Sequence, residues 1–484
     1  MKKTLFYTTI GIAALGFNGC NKYLEKVPDN RSTLNTPEKV TQVLVNAYPK
    51  AVYAAFCEAM TDNVTDIGTG TARNQNSDSY FWNNVDATNQ DTPEYYWNAC
   101  YKAISQANQA LDAISKAPDP ENYTAQKGEA LVARAYSHFM LACIFSKMYD
   151  AATAGNDLGI PYVTEPETVV NKYYDRGTVK STWEKVEKDM LEGLALIRDK
   201  LYTVPRFHFT KQAAYAFATR FYLYRKDYEN AVKYANFVLP SETWVDNMRP
   251  WLTTYQTASS SAEIVTDMNS PACKSNLLLI QTTSWWARDY KAVRYATSAS
   301  VANVLKGLTG ITKGTYAFRW FTWSSGVYNA TPKYNENFIY STATTGVGYV
   351  MFPALTIEEV LLNRAEAYVY LNNNTAALKD INAWVAGRIK SYNPATHDVT
   401  EEGAKNYYAQ PTAKDGLIKT LLDFRRIEFL HEGMRWFDII RYKLPVVHRT
   451  INDQEVKLDA EDLRKVVQIP QEAIAVGKLQ PNPR

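Results

Sequence analysis

Glu428 and Glu432 lie one helical turn apart in RRIEFLHEGMRWFDIIRY, with His431 beside them, and are the residues here best placed to do chemistry. Hydrolysis of a glycoside would need one carboxyl protonated as an acid and its partner ionised as base or nucleophile. The neighbours argue against that division. Arg425 precedes Glu428 by three positions, Arg435 follows Glu432 by three, and Arg441 follows Asp438 by three, spacings that make neighbours on a helix. A close positive charge favours the ionised carboxylate, the wrong state for a general acid. The stretch therefore reads as an ion-pair ladder on one C-terminal helix, with His431 a hydrogen-bonded structural residue. HExxH is absent, because Gly433, Met434 and Arg435 follow His431-Glu432. Cys57, Cys100, Cys143 and Cys273 show no zinc-ligand spacing and read as buried thiols, although export would permit a disulfide. No phosphate loop, GxSxG elbow or Cys-His pair stands out. The expectation is no catalytic residue, no metal and no cofactor, with a surface glycosidase as the rival class.

Binding without catalysis is written in the aromatic residues: 34 Tyr, 18 Phe and 11 Trp are more than a helical core needs. Flat π-faces suit the C–H face of a sugar ring, and polar groups at the rim read hydroxyls. Trp183, Trp384, Trp436 and Phe437, and Trp97 with Tyr101, fall at helical spacing and read as packing. The loop set is SDSYFWNN at 77–84, TTSWWARDY at 282–290 and YAFRWFTWSSGVY at 316–328. From these come the ligand-binding candidates Tyr80, Trp82, Trp285, Trp286, Trp320 and Trp323, with Arg73, Asn83 and Arg288 as polar partners. If Trp285 and Trp286 are extended they point to opposite sides, so at most one faces a ligand; Trp320 and Trp323 would likewise point apart on a strand.

The elements that must carry these loops are mostly helical. Apolar residues recur at three and four over Pro37–Phe56, Pro93–Ser115, Glu121–Met148 and Thr178–Leu201. Two later stretches resemble each other, KQAAYAFATRFYLYRKDYENAVKYANFVL and TIEEVLLNRAEAYVYLNNNTAALKDINAWV, and both place large and small residues as a tetratricopeptide hairpin does. Between them, 241–354 turns irregular and aromatic, with candidate strands NLLLIQTT and GVGYVMF. So long an irregular segment is commonly functional. The fold class expected is mostly α: a tetratricopeptide-like helix-pair scaffold with an irregular, loop-rich capping subdomain containing short strands. A balance of 53 basic to 50 acidic residues argues against nucleic acid as a partner.

The N-terminus speaks to location. Lys2 and Lys3 precede an apolar run from Leu5 to Phe17 of about 13 residues, too short for a bilayer span of about 20. Gly19 at −1 suits ordinary cleavage but Phe17 at −3 does not, whereas a large apolar residue at −3 and Cys20 at +1 fit a lipoprotein site. Acyl chains on Cys20 would hold the protein on a membrane, at about 0.8 kcal/mol per buried methylene.

The order of these features resembles the SusD/RagB family of outer-membrane nutrient-binding lipoproteins. The resemblance runs through Cys20 with LEKVP, WNACYKAISQANQAL, GIPYVTE, KQAAYAFATRFYLY, EVLLNRAEAY, RRIEFLHEGMRWFDIIRY, and IPQEAI with LQPNP. It departs where the family usually has an acidic residue before the Arg pair, since Phe424 stands there with Asp423 one place earlier. It implies a signal peptide at 1–19, an N-terminal SusD-like helical region at 20–240, a capping segment at 241–354 and a C-terminal region at 355–484. It also implies a non-catalytic lipoprotein on the outer face of the outer membrane. Such a protein passes oligosaccharide or polysaccharide, or alternatively peptide, to a TonB-dependent SusC-type transporter. Ligand contacts in the family tend to come from the loop before the WNACY helix and from the middle segment.

Overall fold

The computed structural model describes residues 34–169, 172–240 and 242–484; Cys20 and the expected signal segment lie outside the described residues. Thr36–Arg484 forms one compact unit. Its frame is a run of helices, α1 (Pro93–Lys116), α2 (Thr124–Phe145), α3 (Val179–Leu196), α4 (Lys211–Arg225), α5 (Tyr228–Val238), α6 (Ile357–Tyr370), α7 (Asn374–Ala386), α8 (Glu401–Tyr407), α9 (Ala413–Glu428) and α10 (Met434–Arg441). Their starts are chemically specified. The Thr92 side chain accepts from Tyr95 N–H with Pro93 in the first turn, Thr178 and Ser181 form a capping box, and Asp227, Asn373 and Thr412 cap α5, α7 and α9.

Consecutive helices pack as pairs, α1 with α2, α4 with α5, α6 with α7 and α8 with α9, and α3 lies on α2. The two tetratricopeptide-like stretches are thus helix pairs, joined by turns at Lys226 and Asn372 in the left-handed region. Small residues allow the approach: Ala218, Ala231, Ala235, Ala365 and Ala377 are all buried. The period over Pro37–Phe56 breaks into Pro37–Leu44 and Ala54–Ala59, because Pro49 cannot continue a helix. Among the described residues no helix is long and apolar enough to cross a membrane.

The middle segment carries strands β1 (Asn276–Thr283), β2 (Phe321–Trp323), β3 (Tyr328–Ala330), β4 (Glu336–Tyr340) and β5 (Gly346–Thr356). They form an antiparallel sheet of order β1-β5-β4 and a separate β2-β3 hairpin. Both strand stretches expected from sequence, 276–283 and 346–352, are in that sheet.

The expected C-terminal ladder is not one helix. α9 stops at Glu428 and α10 starts at Met434, after a turn in which His431 and Gly433 have φ of 69° and 73°. A side chain at Gly433 would meet Ala54 Cα at 2.8 Å, so glycine is needed there. With the helix broken, the arginines find other partners. Arg425 bonds Asp438 at 2.9 Å, Arg435 bonds Asp62 at 2.9 Å, and only Arg441 keeps its expected partner Asp438, at 2.9 Å, while also bonding Glu366. Glu428 instead accepts from Arg388 at 2.6 Å, and Glu432 from Arg249 at 2.8 Å and Lys333 at 2.7 Å. Phe424, where an acidic residue was usual, stacks on Trp384 at 4.3 Å.

Candidate ligand-binding surface

The Trp285 loop is held by long-range polar contacts. Asp91 is buried, has φ of 67° and stands one residue before the cap of α1. Its carboxylate accepts from Ser284 Oγ at 2.6 Å and from Trp285 N–H at 2.7 Å, and Ser284 Oγ in turn accepts from Trp286 N–H at 3.0 Å. Burial pushes the Asp91 carboxyl up to about 7, against the pull of those two bonds; the Asp289 charge adds to the rise and Arg73 opposes it. Arg73 bonds both oxygens of Asp289, at 3.0 and 3.4 Å, and its guanidinium lies 4.1 Å from the centre of the Trp285 ring. The half-buried indole of Trp285 thus has a fixed backbone and a cation over its ring.

Trp285 and Trp286 are not extended: Trp286 opens a short helix, Trp286–Asp289. Trp286 is buried and donates Nε1–H to His431 O at 2.8 Å, leaving no face for a ligand. Arg288 is exposed and pairs with Glu336 at 2.9 Å. Trp323, half-buried at the end of β2, meets Tyr290 edge-on at 6.5 Å, and Tyr290 meets Trp286 at 6.0 Å. The Lys291 ammonium lies 5.1 Å from the Trp323 ring, and Lys306 lies 4.9 Å from the half-buried ring of Trp320.

The third stretch faces elsewhere. Tyr80 is fully buried, stacked on Tyr295 at 4.2 Å and His448 at 4.0 Å, with its hydroxyl donating to Arg449 O and accepting from Asp66 N–H. Trp82 also stacks on His448, at 4.4 Å, and donates Nε1–H to Met60 O at 3.0 Å. It is 3 % exposed, and its φ of 53° is unusual for a bulky side chain. Its edge and the exposed Asn83 line a cleft of about 620 Å³ together with Gln468, Gln471, Glu472 and Arg464, whose guanidinium lies 5.8 Å from the Trp82 ring. The structure therefore brings Arg73, Trp285, Arg288 and Trp323 together around Asp289, Tyr290 and Lys291, and puts Trp82 and Asn83 in a separate cleft. Tyr80 and Trp286 are core.

Sequence reading missed Asp91, Asp289 and Lys291. A charged residue beside a loop tryptophan was the available signal for Asp289 and Lys291; for Asp91, nearly two hundred residues from Ser284, there was none.

Glu428 and Glu432 are both ion-paired rather than set apart as an acid and a base. Burial alone would raise Glu428, but the charge and bonds of Arg388, with Lys333 and Arg249, hold it below the ordinary range. Arg249 and Lys333 do the same for Glu432. The His431 ring is buried with Nε2 unpartnered, and its backbone makes the contacts instead: N–H to Glu58 at 3.0 Å and C=O from Trp286. The four cysteines are free and buried, and among the described residues no cluster of His, Cys, Asp or Glu could hold a metal.

Residues 22–223 match the family model SusD-like_3, described as starch-binding and associating with the outer membrane, and residues 283–473 match the SusD family model SusD_RagB. No protein of curated function matches in sequence. Among solved structures, a SusD superfamily protein of Bacteroides thetaiotaomicron is 21 % identical with a TM-score of 0.65, over 93 % of this chain and all of that one. A putative sugar binding protein of Bacteroides vulgatus is 18 % identical with a TM-score of 0.67, over 93 % of this chain and 99 % of that one. A SusD-like carbohydrate binding protein from the same organism is 17 % identical with a TM-score of 0.61, over 92 % and 97 %. Arranged as helix pairs under an irregular aromatic cap and matched along most of its length, this chain belongs to the SusD/RagB family.

Proposed function

We propose that the protein captures oligosaccharide or polysaccharide at the cell surface and hands it to a TonB-dependent SusC-type transporter, without cutting it. It is tethered to the outer membrane through acylated Cys20 and faces the exterior. The observation that carries the binding role is the Trp285 platform. An aromatic ring is partly open at the surface, its backbone fixed by Asp91 and its ring position by Arg73 and Asp289, beside a second half-open ring at Trp323. Such pre-organisation lowers the ordering cost of binding. Buried, ionised Glu428 and Glu432 offer no proton donor, which supports handing over rather than hydrolysis. Membership of the family and the sugar-binding descriptions of its structural neighbours agree with a glycan as cargo.

The test is calorimetry of Trp285→Ala and Trp323→Ala against the glycan identified by screening. Loss of one stacked ring should weaken binding by roughly 5- to 150-fold, the equivalent of about 1 to 3 kcal/mol, with little change in Tm. If both variants bind like the parent, this surface is not the site and the Trp82 cleft becomes the place to look.

A further inference from the structure

Every charged residue from Asn276 to Asn335 is basic except Asp289. In a chain of nearly balanced charge this is a local field of one sign, and the structure shows how much of it is neutralised. Arg288 pairs with Glu336, Arg294 with Asp66, and Lys333 with Glu432. Lys291, Lys306, Lys313 and Arg319 have no carboxylate at ion-pair distance among the described residues. Three of these four sit over aromatic rings of residues 320–323. Lys306 lies 4.9 Å from the Trp320 ring, Arg319 lies 5.1 Å from Phe321, and Lys291 lies 5.1 Å from Trp323. Phe321 and Trp323 are in contact, 6.2 Å apart, and all three rings are half-buried; Arg319 also donates to the backbone carbonyls of Tyr255 and Ala258, and its remaining N–H groups face no carboxylate at ion-pair distance among the described residues.

A neutral sugar gains from such rings but nothing from the cations, which compete for the same π-faces. The cations bear a cost in this setting: Lys291 is packed between Tyr290 and Trp323, where burial lowers its affinity for a proton. An incoming anion would offset that cost and would free the ring faces by drawing the ammonium groups aside.

We propose that the captured glycan is acidic. Its sugar rings stack along Trp320, Phe321 and Trp323, and its uronate carboxylates or sulfate esters are received by Lys306, Arg319 and Lys291. This rests on the reading of the protein as a glycan-capture protein and names the class of glycan.

The experiment is calorimetry of the full mature chain against four probes: a neutral gluco-oligosaccharide, an oligogalacturonate, a sulfated chondroitin-type oligosaccharide and an acidic peptide, each at low and high salt. At least one of the two acidic glycans should bind tighter than the neutral one, with affinity falling as salt screens the contact. The arm that binds separates carboxylate from sulfate. Lys291→Gln and Lys306→Gln should each weaken that binding by up to about 5-fold, the weight of an exposed ion pair, and reduce its salt dependence with Tm unchanged. A neutral glycan bound as tightly as the acidic ones, with both Gln variants like the parent, overturns the acidic class while leaving glycan capture standing. Binding of the acidic peptide with no glycan bound overturns both.

Discussion

Replacing Asp91 by Asn separates the charge of this residue from its geometry. The amide can still accept from Trp285 N–H, and the Ser284 hydroxyl can rotate to accept from the amide, so the loop keeps its bonds and the fold survives. What disappears is a titration. Burial raises the Asp91 carboxyl from an ordinary 3.8 to about 7 in the folded protein. The folded state therefore holds this proton more tightly than the unfolded chain does. Its contribution to stability is fully present below pH 4 or so and is lost as pH rises through about 7. At about 1.4 kcal/mol per unit, the part lost between about pH 5 and pH 8 is on the order of 3 kcal/mol. Glu58, also buried and also raised to about 7, gives the parent a similar slope, but it is present in both proteins and cancels in their difference. Urea unfolding of parent and Asp91→Asn at several pH values across that range isolates the Asp91 contribution. The parent should lose stability relative to the variant as pH rises, by roughly the amount given. A difference that stays constant from about pH 5 to pH 8 would refute the claim that this carboxyl titrates within the fold, and with it burial as the dominant influence on Asp91.

Glu428→Gln should destabilise the protein by about 1 to 3 kcal/mol, because Arg388 loses its bidentate carboxylate while keeping Glu358 at 3.1 Å, and denaturant midpoints measure it. On the same preparations, release of reducing ends from polysaccharide should be absent for parent and variant alike; activity in the parent that Glu428→Gln abolishes without unfolding would sink the non-catalytic reading. Cys20→Ala should move the protein from the membrane fraction to the soluble one, and unchanged retention on fractionation would show another anchor.

Helix pairing was legible because it is local: caps, prolines and small residues at fixed spacing specify α1, α2 and the two hairpins wherever the rest of the chain lies. The tryptophans at helical spacing, Trp183, Trp384 and Trp436, are buried as their period implied. Ion pairing was less legible. Spacing of three suggested Arg425 with Glu428, but the left-handed turn at His431 and Gly433 folds α10 back so that Arg425 meets Asp438 instead and Arg435 meets Asp62, more than three hundred residues away, while Arg441 keeps Asp438. The same limit applies to the loop aromatics. Nothing in SDSYFWNN distinguishes Tyr80, sandwiched between Tyr295 and His448, from a surface ring, because both of its stacking partners come from distant segments. The extended backbone on which Trp285 and Trp286 would have pointed apart is not present, and the burial of Trp286 follows instead from a short helix and the distant His431 O.

The buried charges have a consequence for binding as well as for folding. Arg249 and Lys333 come from the irregular segment, and they end on Glu358, Glu428 and Glu432 of the helical scaffold, Glu358 accepting from the Arg249 backbone N–H at 2.6 Å. Such pairs add little net stability over apolar packing, since desolvation consumes most of the attraction. What they add is position: a slipped register would leave a charge unpaired in the core, at a cost that apolar contacts alone would not impose. The segment that carries Trp285, Trp320 and Trp323 is thereby fixed at its roots by Arg249 and Lys333. At its crest it is fixed by Asp91 to Ser284, Arg73 to Asp289 and Asp66 to Arg294. Loops secured at both levels can be long and irregular without being loose, and the rings they carry are held in place, as the proposed platform requires. The same logic explains why the catalytic-looking carboxylates lie at the C-terminal turn: they anchor the cap, and an anchor must stay ionised.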